Sequence, residues 1–267
     1  MKKLVEGRTE KHLKLMKLGL ASDEIHRIIP LGLTLGEARA WYANRVLFPR
    51  LRRAVVALAA GSTLLLSLLT VIGSLLEQNL TTRMTVHDTL FLVAGFLFAY
   101  GISSLMEVAS HLMDRLWQMR TVLSTACLGT RVLSILTFGS AALLIAYWYL
   151  PTKFNAAASN ASTAAEMHLA LVLSGSLIFL GALSMSRRLK LIALVIVGKA
   201  LGLFGMFLLL TPRDLYSMYP SYEQVYAGAA FLFIMLILDF TIMPLWLYNY
   251  FGKASRSNRV GDGPRVV

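Results

Sequence analysis

The sequence predicts an all-α integral membrane protein, a polytopic bundle of about six transmembrane helices. Of its 267 residues 57% are hydrophobic, and the mean hydropathy is +0.64. That is more apolar surface than one soluble core of this size would hide. Apolar stretches of about 20 residues, the length that crosses a bilayer, recur along the chain. Basic residues cluster between those stretches, as expected of loops in a membrane protein.

The apolar stretches and their flanks predict three regions. Residues 1–53 form a basic cytoplasmic or interfacial region, 54–250 the transmembrane domain, and 251–267 a flexible cytoplasmic tail. The six predicted spans are 54–76, 88–110, 132–150, 167–186, 191–211 and 225–250.

The formal net charge is +12, and most of the basic residues fall on one side of the predicted spans. The N-terminal region, the 111–121 loop, the 187–190 turn and the tail hold 21 of the 26 lysines and arginines. This asymmetry predicts that both termini lie in the cytoplasm or its organellar equivalent. A nucleic-acid partner is not expected, because the charge does not gather on one face of a folded domain.

Part of this charge lies in short helices that suit a membrane surface. An amphipathic helix around Lys11, Lys14 and Lys17 is predicted to bind anionic lipid headgroups or to pack on a neighbour. The basic residues before the first span, Arg50, Arg52 and Arg53, are expected to anchor it on the cytoplasmic side.

Motifs for catalysis are absent from the sequence, which has no P-loop, nucleophile elbow or HExxH segment. The single cysteine, Cys127, excludes an internal disulfide and a cysteine-only metal site. The protein is therefore expected to act without being an enzyme.

Two histidines are the first candidate site. His87 and His168 are predicted at the outer mouths of the second and fourth spans, where they could face one another. Paired imidazoles ligate haem iron, as in haem b, or copper. The alternative is that each is a hydrogen-bonded interfacial residue, since no acidic metal-binding motif lies nearby in the sequence.

Ionisable residues inside the spans are the second candidate site. Lys199 and Asp239 are predicted at similar depths, as are Glu107 and Arg131. Such groups are costly in a membrane, so the pairs indicate either an ion path or interhelical clamps. Pro244 is expected to free the carbonyl of Phe240 and kink the last helix.

The motif His87-x-Thr89-x-Phe91, together with His168 and the Ile192–Pro212 segment, resembles the transmembrane protein 45 family. The histidine pair also resembles the transmembrane ascorbate-dependent di-haem cytochromes b. The resemblance implies a helix bundle of this size and, for the cytochromes, haem. The sequence departs from both patterns, because predicted spans three and five contain no histidine and the last span has Leu238-Asp239 instead.

Three functions are compatible with these features. The first is a non-catalytic accessory or scaffold subunit of a larger membrane complex, bound to other membrane subunits. The second is a redox or metal-handling membrane protein that uses His87 and His168. The third is a small proton-coupled transporter that uses the charged pairs.

Overall fold

The computed structural model describes residues 47–112, 130–211, 215–245 and 247–248. These residues form nine α-helices: α1 Phe48–Leu68, α2 Val71–Leu76, α3 Leu80–Thr82, α4 Asp88–Leu112, α5 Thr130–Trp148, α6 Pro151–Ser159, α7 Ala161–Ser184, α8 Arg187–Leu210 and α9 Ser221–Ile237. A π-helical turn, Arg83–His87, joins α3 to α4, and a second, Leu238–Ile242, follows α9. The described residues contain no strand, which confirms the predicted all-α class.

Among the described residues, five helical segments are long and apolar enough to cross a membrane. They are Phe48–Leu68, Leu80–Ala109, Ala161–Ser184, Arg187–Leu210 and Ser221–Leu245. The pair of helices over Val132–Trp148 and Pro151–Ser159 makes a sixth if it is counted as one span. A polytopic bundle of about six spans is therefore confirmed.

Breaks in the helix change two of the predicted spans, the third and the first. The third bends by 66° between α5 and α6. Pro151 begins α6, and Leu150 before it is extended, as the residue preceding a proline tends to be. The first span ends at Leu68, because the extended Thr70 separates it from α2.

The described chain divides into two compact units. The first consists of residues 47–60 and 98–112, and the second contains 61–97 and the described residues from 130 onward. In the first unit, the Arg50 guanidinium donates a 2.8 Å hydrogen bond to the Glu107 carboxylate. This ion pair joins the start of α1 to the last part of α4.

The second unit contains an apolar core built from the end of α1 and from helices α3 to α9. Its largest fully buried apolar side chains are Phe91, Phe154, Leu80, Met84, Met167, Leu171 and Leu208. The hydroxyl of Tyr216 donates to the carbonyl of Tyr149 at 2.8 Å, and Gln224 donates to that of Leu208 at 3.0 Å. These bonds satisfy carbonyls at the ends of helices, which the helix itself leaves unpaired.

Helices α4 and α7 of this unit approach each other through two glycines. A Cβ atom on Gly95 of α4 would lie 1.9 Å from the Val172 carbonyl oxygen of α7, and one on Gly175 would lie 2.0 Å from that of Leu92. Ser176 also donates a 2.9 Å hydrogen bond to the Gly95 carbonyl. Small residues allow such backbone contact between membrane helices, so α4 and α7 are held at close range.

A π turn, Leu238–Ile242, ends two residues before Pro244, which has no amide hydrogen to donate to Phe240. The kink expected at Pro244 stays a prediction. The last span nevertheless continues as one segment from Ser221 to Leu245.

Candidate metal centre

Three side chains of the second unit converge at one point. They are Glu77 at the end of α2, His87 in the first π turn and His168 in α7. The Nε2 atoms of His87 and His168 lie 3.6 and 3.5 Å from the same oxygen, Oε1 of Glu77. One ligand atom from each residue lies within 4.8 Å of the other two, as a metal ion would require.

The close contact of α4 and α7 positions the two histidines. His87 precedes Gly95 by eight residues and His168 precedes Gly175 by seven, about two helical turns in each case. Because the backbones touch at the glycines, the segments two turns away stay near each other. The imidazole centroids are therefore 5.1 Å apart.

Glu77 reaches the histidines because the chain reverses after α1. Its amide donates to the Gly73 carbonyl at 3.0 Å and so ends α2, and its own carbonyl accepts from the Tyr219 hydroxyl at 3.2 Å. The carboxylate is thus held by its backbone beside α4 and α7.

The Phe91 ring packs against both imidazoles. Its ring stacks on His168 with centroids 4.3 Å apart and planes 9° from parallel. It meets His87 edge-on at 5.0 Å. A haem iron would need its two axial imidazoles on opposite sides of a large flat ring, whereas here both face one carboxylate oxygen. The geometry fits a single ion better than haem.

The two Nε2 atoms have no hydrogen-bond partner among the described residues, although both are buried. Their contacts with Glu77 are longer than ordinary hydrogen bonds. Metal bonds of ~2.0–2.2 Å set tetrahedral ligands about 3.4 Å apart, close to the two separations from Glu77. The two Nε2 atoms and the carboxylate oxygen are thus suitably spaced to ligate one ion.

Asp88 supports His87 from the other side of the ring. Its Oδ1 lies 3.4 Å from His87 Nδ1, and both side chains are fully buried. A carboxylate in this position favours the tautomer with hydrogen on Nδ1, which leaves Nε2 free to ligate.

Arg83 supplies positive charge beside the carboxylates. It is 3% exposed, donates to the Tyr219 hydroxyl at 2.9 Å and lies 4.8 Å from the centre of the Phe154 ring. The contact with His168 has the largest effect on the pKa of Glu77 and lowers it. Partial burial raises this pKa, and the positive charge of Arg83 lowers it further. Glu77 therefore favours the ionised form that binds cations.

Sequence reasoning missed several of these residues. Glu77, Asp88 and Arg83 were not linked to the histidines, because none of the three forms a recognisable metal-binding motif with them in the sequence. Glu223, also missed, accepts from the Leu80 amide and so holds the start of α3. Asp88 directly follows a candidate histidine, and that adjacency was the one available signal.

The remaining predicted site residues lie elsewhere. Lys199 of α8 donates to Asp239 in the second π turn, with side chains 57% and 16% exposed. Glu107 bonds to Arg50, a pairing that was not expected, whereas the Arg131 side chain is not described and its pairing stays a prediction. Arg52 and Arg53 are exposed on α1. Lys11, Lys14 and Lys17 lie outside the described residues.

These features define an integral membrane protein with a buried polar centre and no recognised catalytic motif. The chain belongs to the cytochrome c oxidase caa3 assembly factor family, whose model matches residues 34–251. An accessory role for a membrane complex is thus confirmed, as an assembly factor rather than a subunit. No curated protein and no solved structure matches the chain significantly.

This family membership corrects the resemblance drawn from sequence. The likeness to the transmembrane protein 45 family and to the di-haem cytochromes b is wrong, because the matching family covers most of the chain and is a different one. The histidines and glycines that suggested the likeness recur in many apolar helices and carried little specificity.

Proposed function

We propose that this protein assists the assembly of a membrane oxidase by binding one transition-metal ion at Glu77, His87 and His168. The observation that carries the proposal is the convergence of two buried, unpaired imidazole nitrogens on one carboxylate oxygen. A buried nitrogen without a partner is costly, and ligation to an ion would remove that cost.

The ligand set indicates the kind of metal. Two imidazoles and one carboxylate suit first-row transition ions, and affinity for such sites is highest for Cu²⁺. Copper is therefore the first ion to test. Bound there, it would be held by His87 and His168 and neutralised in part by Glu77.

The charge distribution suggests which side of the membrane the site faces. The basic loops favour an orientation with both termini in the cytoplasm or its equivalent. Glu77, before the second span, and His168, near the start of α7, then lie toward the opposite side. An ion held there would be accessible to oxidase domains on that side.

Metal titration of the detergent-purified, chelator-stripped protein tests the site. We expect about one Cu²⁺ per chain, and a loss of affinity of more than about 100-fold in His87→Ala or His168→Ala, larger than losses from outer-shell changes. The matched control is His111→Ala, on the last turn of α4. Equal affinity in all four proteins would reject the metal site.

Oxidase activity in the organism that carries the gene tests the biological role. We expect deletion to lower the activity of the oxidase, and the wild-type gene and His111→Ala to restore it. The His87→Ala and His168→Ala genes are expected to fail although their proteins accumulate in the membrane. Full oxidase activity after deletion would reject the assembly role.

A further inference from the structure

Lys199 has an unusual position for a charged residue. It lies 12 residues after the start of the Arg187–Leu210 span and 11 before its end, ~18 Å and ~16 Å along the helix. Its side chain is nevertheless 57% exposed. A lysine at that depth cannot reach the membrane surface by extending its side chain, as lysines near helix ends do.

Asp239 accepts a hydrogen bond from only one of the N–H donors of this lysine. An ammonium group has three N–H donors, and among the described residues Asp239 Oδ2 is the acceptor recorded for it. The second carboxylate oxygen, Oδ1, is buried without a hydrogen-bond partner in the described chain. Hydrocarbon lipid would offer the remaining donors no acceptor.

The exposed face around Lys199 has the spacing of a helix-pairing seam. Its members, at alternating steps of four and three residues, are Ile192, Ile196, Lys199, Leu203, Met206 and Leu210. Alternating steps of this kind align two helices over several turns, and one polar member fixes partner and register. The apolar members alone would suit lipid, but the lysine among them does not.

From this seam we infer that α8 docks against a transmembrane helix of the oxidase client, one with a carboxylate or amide oxygen at the depth of Lys199. The inference rests on the proposed assembly role for the identity of the client. A second copy of this chain fits less well. Symmetric pairing along the seam would bring two lysines together near its centre.

Photo-crosslinking in membranes tests the seam. A photoreactive phenylalanine analogue replaces Leu203, which is 70% exposed, and in a control protein replaces Leu169 of α7, which is 74% exposed. We expect the probe at 203 to crosslink an oxidase subunit and the probe at 169 to give much less of that product.

The dependence of this crosslink on the charge of Lys199 is tested by adding a second substitution to the protein with the probe at 203. Lys199→Met is expected to lower the crosslink yield about threefold to tenfold, in line with the value of polar contacts between membrane helices. The control Lys190→Met, in the first turn of the same helix, should keep the yield. Products with lipid alone or with a second copy, or a yield unchanged by Lys199→Met, would overturn the inference.

The two proposals fail in different ways. If deletion of the gene leaves oxidase activity intact, the assembly role is rejected. If deletion abolishes that activity but Lys199→Met restores it fully and the probe at 203 finds no subunit, only the docking surface is rejected. Copper binding by Lys199→Met is expected to equal that of the wild type, because Lys199 is not among the three metal-site residues.

Discussion

His87 has a carboxylate on each side of its ring. Glu77 lies 3.6 Å from Nε2 and Asp88 lies 3.4 Å from Nδ1. The imidazole is fully buried, so these two groups and the Phe91 ring determine its orientation. A histidine held in this way presents one nitrogen in a fixed direction, which is what a preorganised ligand needs.

Asp88→Asn tests this orientation at the level of one atom. The amide keeps the size of the carboxylate but loses the charge that favours hydrogen on Nδ1. We expect Cu²⁺ affinity to fall about 10-fold to 100-fold. Competition titration against a chelator of known affinity measures the change. Unchanged affinity, with normal folding by circular dichroism, would show that Asp88 does not orient the ligand.

Glu77→Gln tests the charge of the carboxylate in the metal-free protein. The pKa of Glu77 is lowered from its reference value of 4.5, so the ionised form stabilises the fold. That contribution is complete above pH 4.5 and is lost as the pH falls through the lowered folded value. We expect Glu77→Gln to melt a few degrees below the wild type at pH 7.

The same comparison at acidic pH tests whether the ionised Glu77 carboxylate stabilises the fold. The difference in melting temperature between wild type and Glu77→Gln should shrink as the pH falls below 4.5. The control is Glu166→Gln, an exposed residue on α7. A difference that grew with acidification would contradict the assigned role of Glu77.

At the scale of helices, the contact of α4 with α7 decides whether the site exists. The two backbones touch at Gly95 and Gly175. Phe96, the residue after Gly95, meets Phe179, one turn after Gly175, edge-on at 5.0 Å. The histidines lie two turns on the other side of the glycines. Separation of the helices at the glycines would therefore separate the ligands.

Gly175→Ala tests this dependence with the smallest possible side chain. The added Cβ would meet the Leu92 carbonyl at 2.0 Å, so the helices must move apart. Overpacking of this kind costs about 1–3 kcal/mol of stability. We expect a lower melting temperature together with weaker Cu²⁺ binding.

Gly139→Ala on α5 is the matched control. A Cβ atom there meets nothing within 4 Å, so only the helix propensity changes. Alanine is favoured over glycine in a helix by about 1 kcal/mol, and stability should stay level or rise. Equal effects of the two substitutions on copper binding would contradict the role of the glycine contact.

At the scale of the whole molecule, the number of spans determines where the termini lie. In the described part of the chain five helical segments qualify alone, and the bent pair of α5 and α6 decides whether their count is odd or even. The basic loops favour six spans with both termini on one side. In that arrangement the segment that contains α5 and α6 would supply the sixth span.

Reporter fusions measure this directly. A reporter active only in the cytoplasm, fused to either terminus, is expected to be active in both proteins. The same reporter inserted after Ser159, at the end of α6, should be inactive. Activity at one terminus and not at the other would show that the bent pair does not span.

The sequence by itself determined the class of this protein, because an excess of apolar residues in segments of bilayer length leaves few other folds. It also indicated about six spans and singled out His87, His168 and the charged residues within them. These are properties of composition and spacing, and they do not depend on which helices touch.

Only the tertiary structure decided what surrounds each of those residues. Glu77 lies ten residues before His87 and 91 before His168, and no local pattern predicts that three such groups meet. Their convergence depends on the turn after α1 and on two glycines that bring α4 against α7. Likewise, the depth of Lys199 could be read from the span, but its exposure depends on which face of α8 packs against α9. Contacts between distant segments follow from the packing of whole helices, which a one-dimensional pattern does not encode.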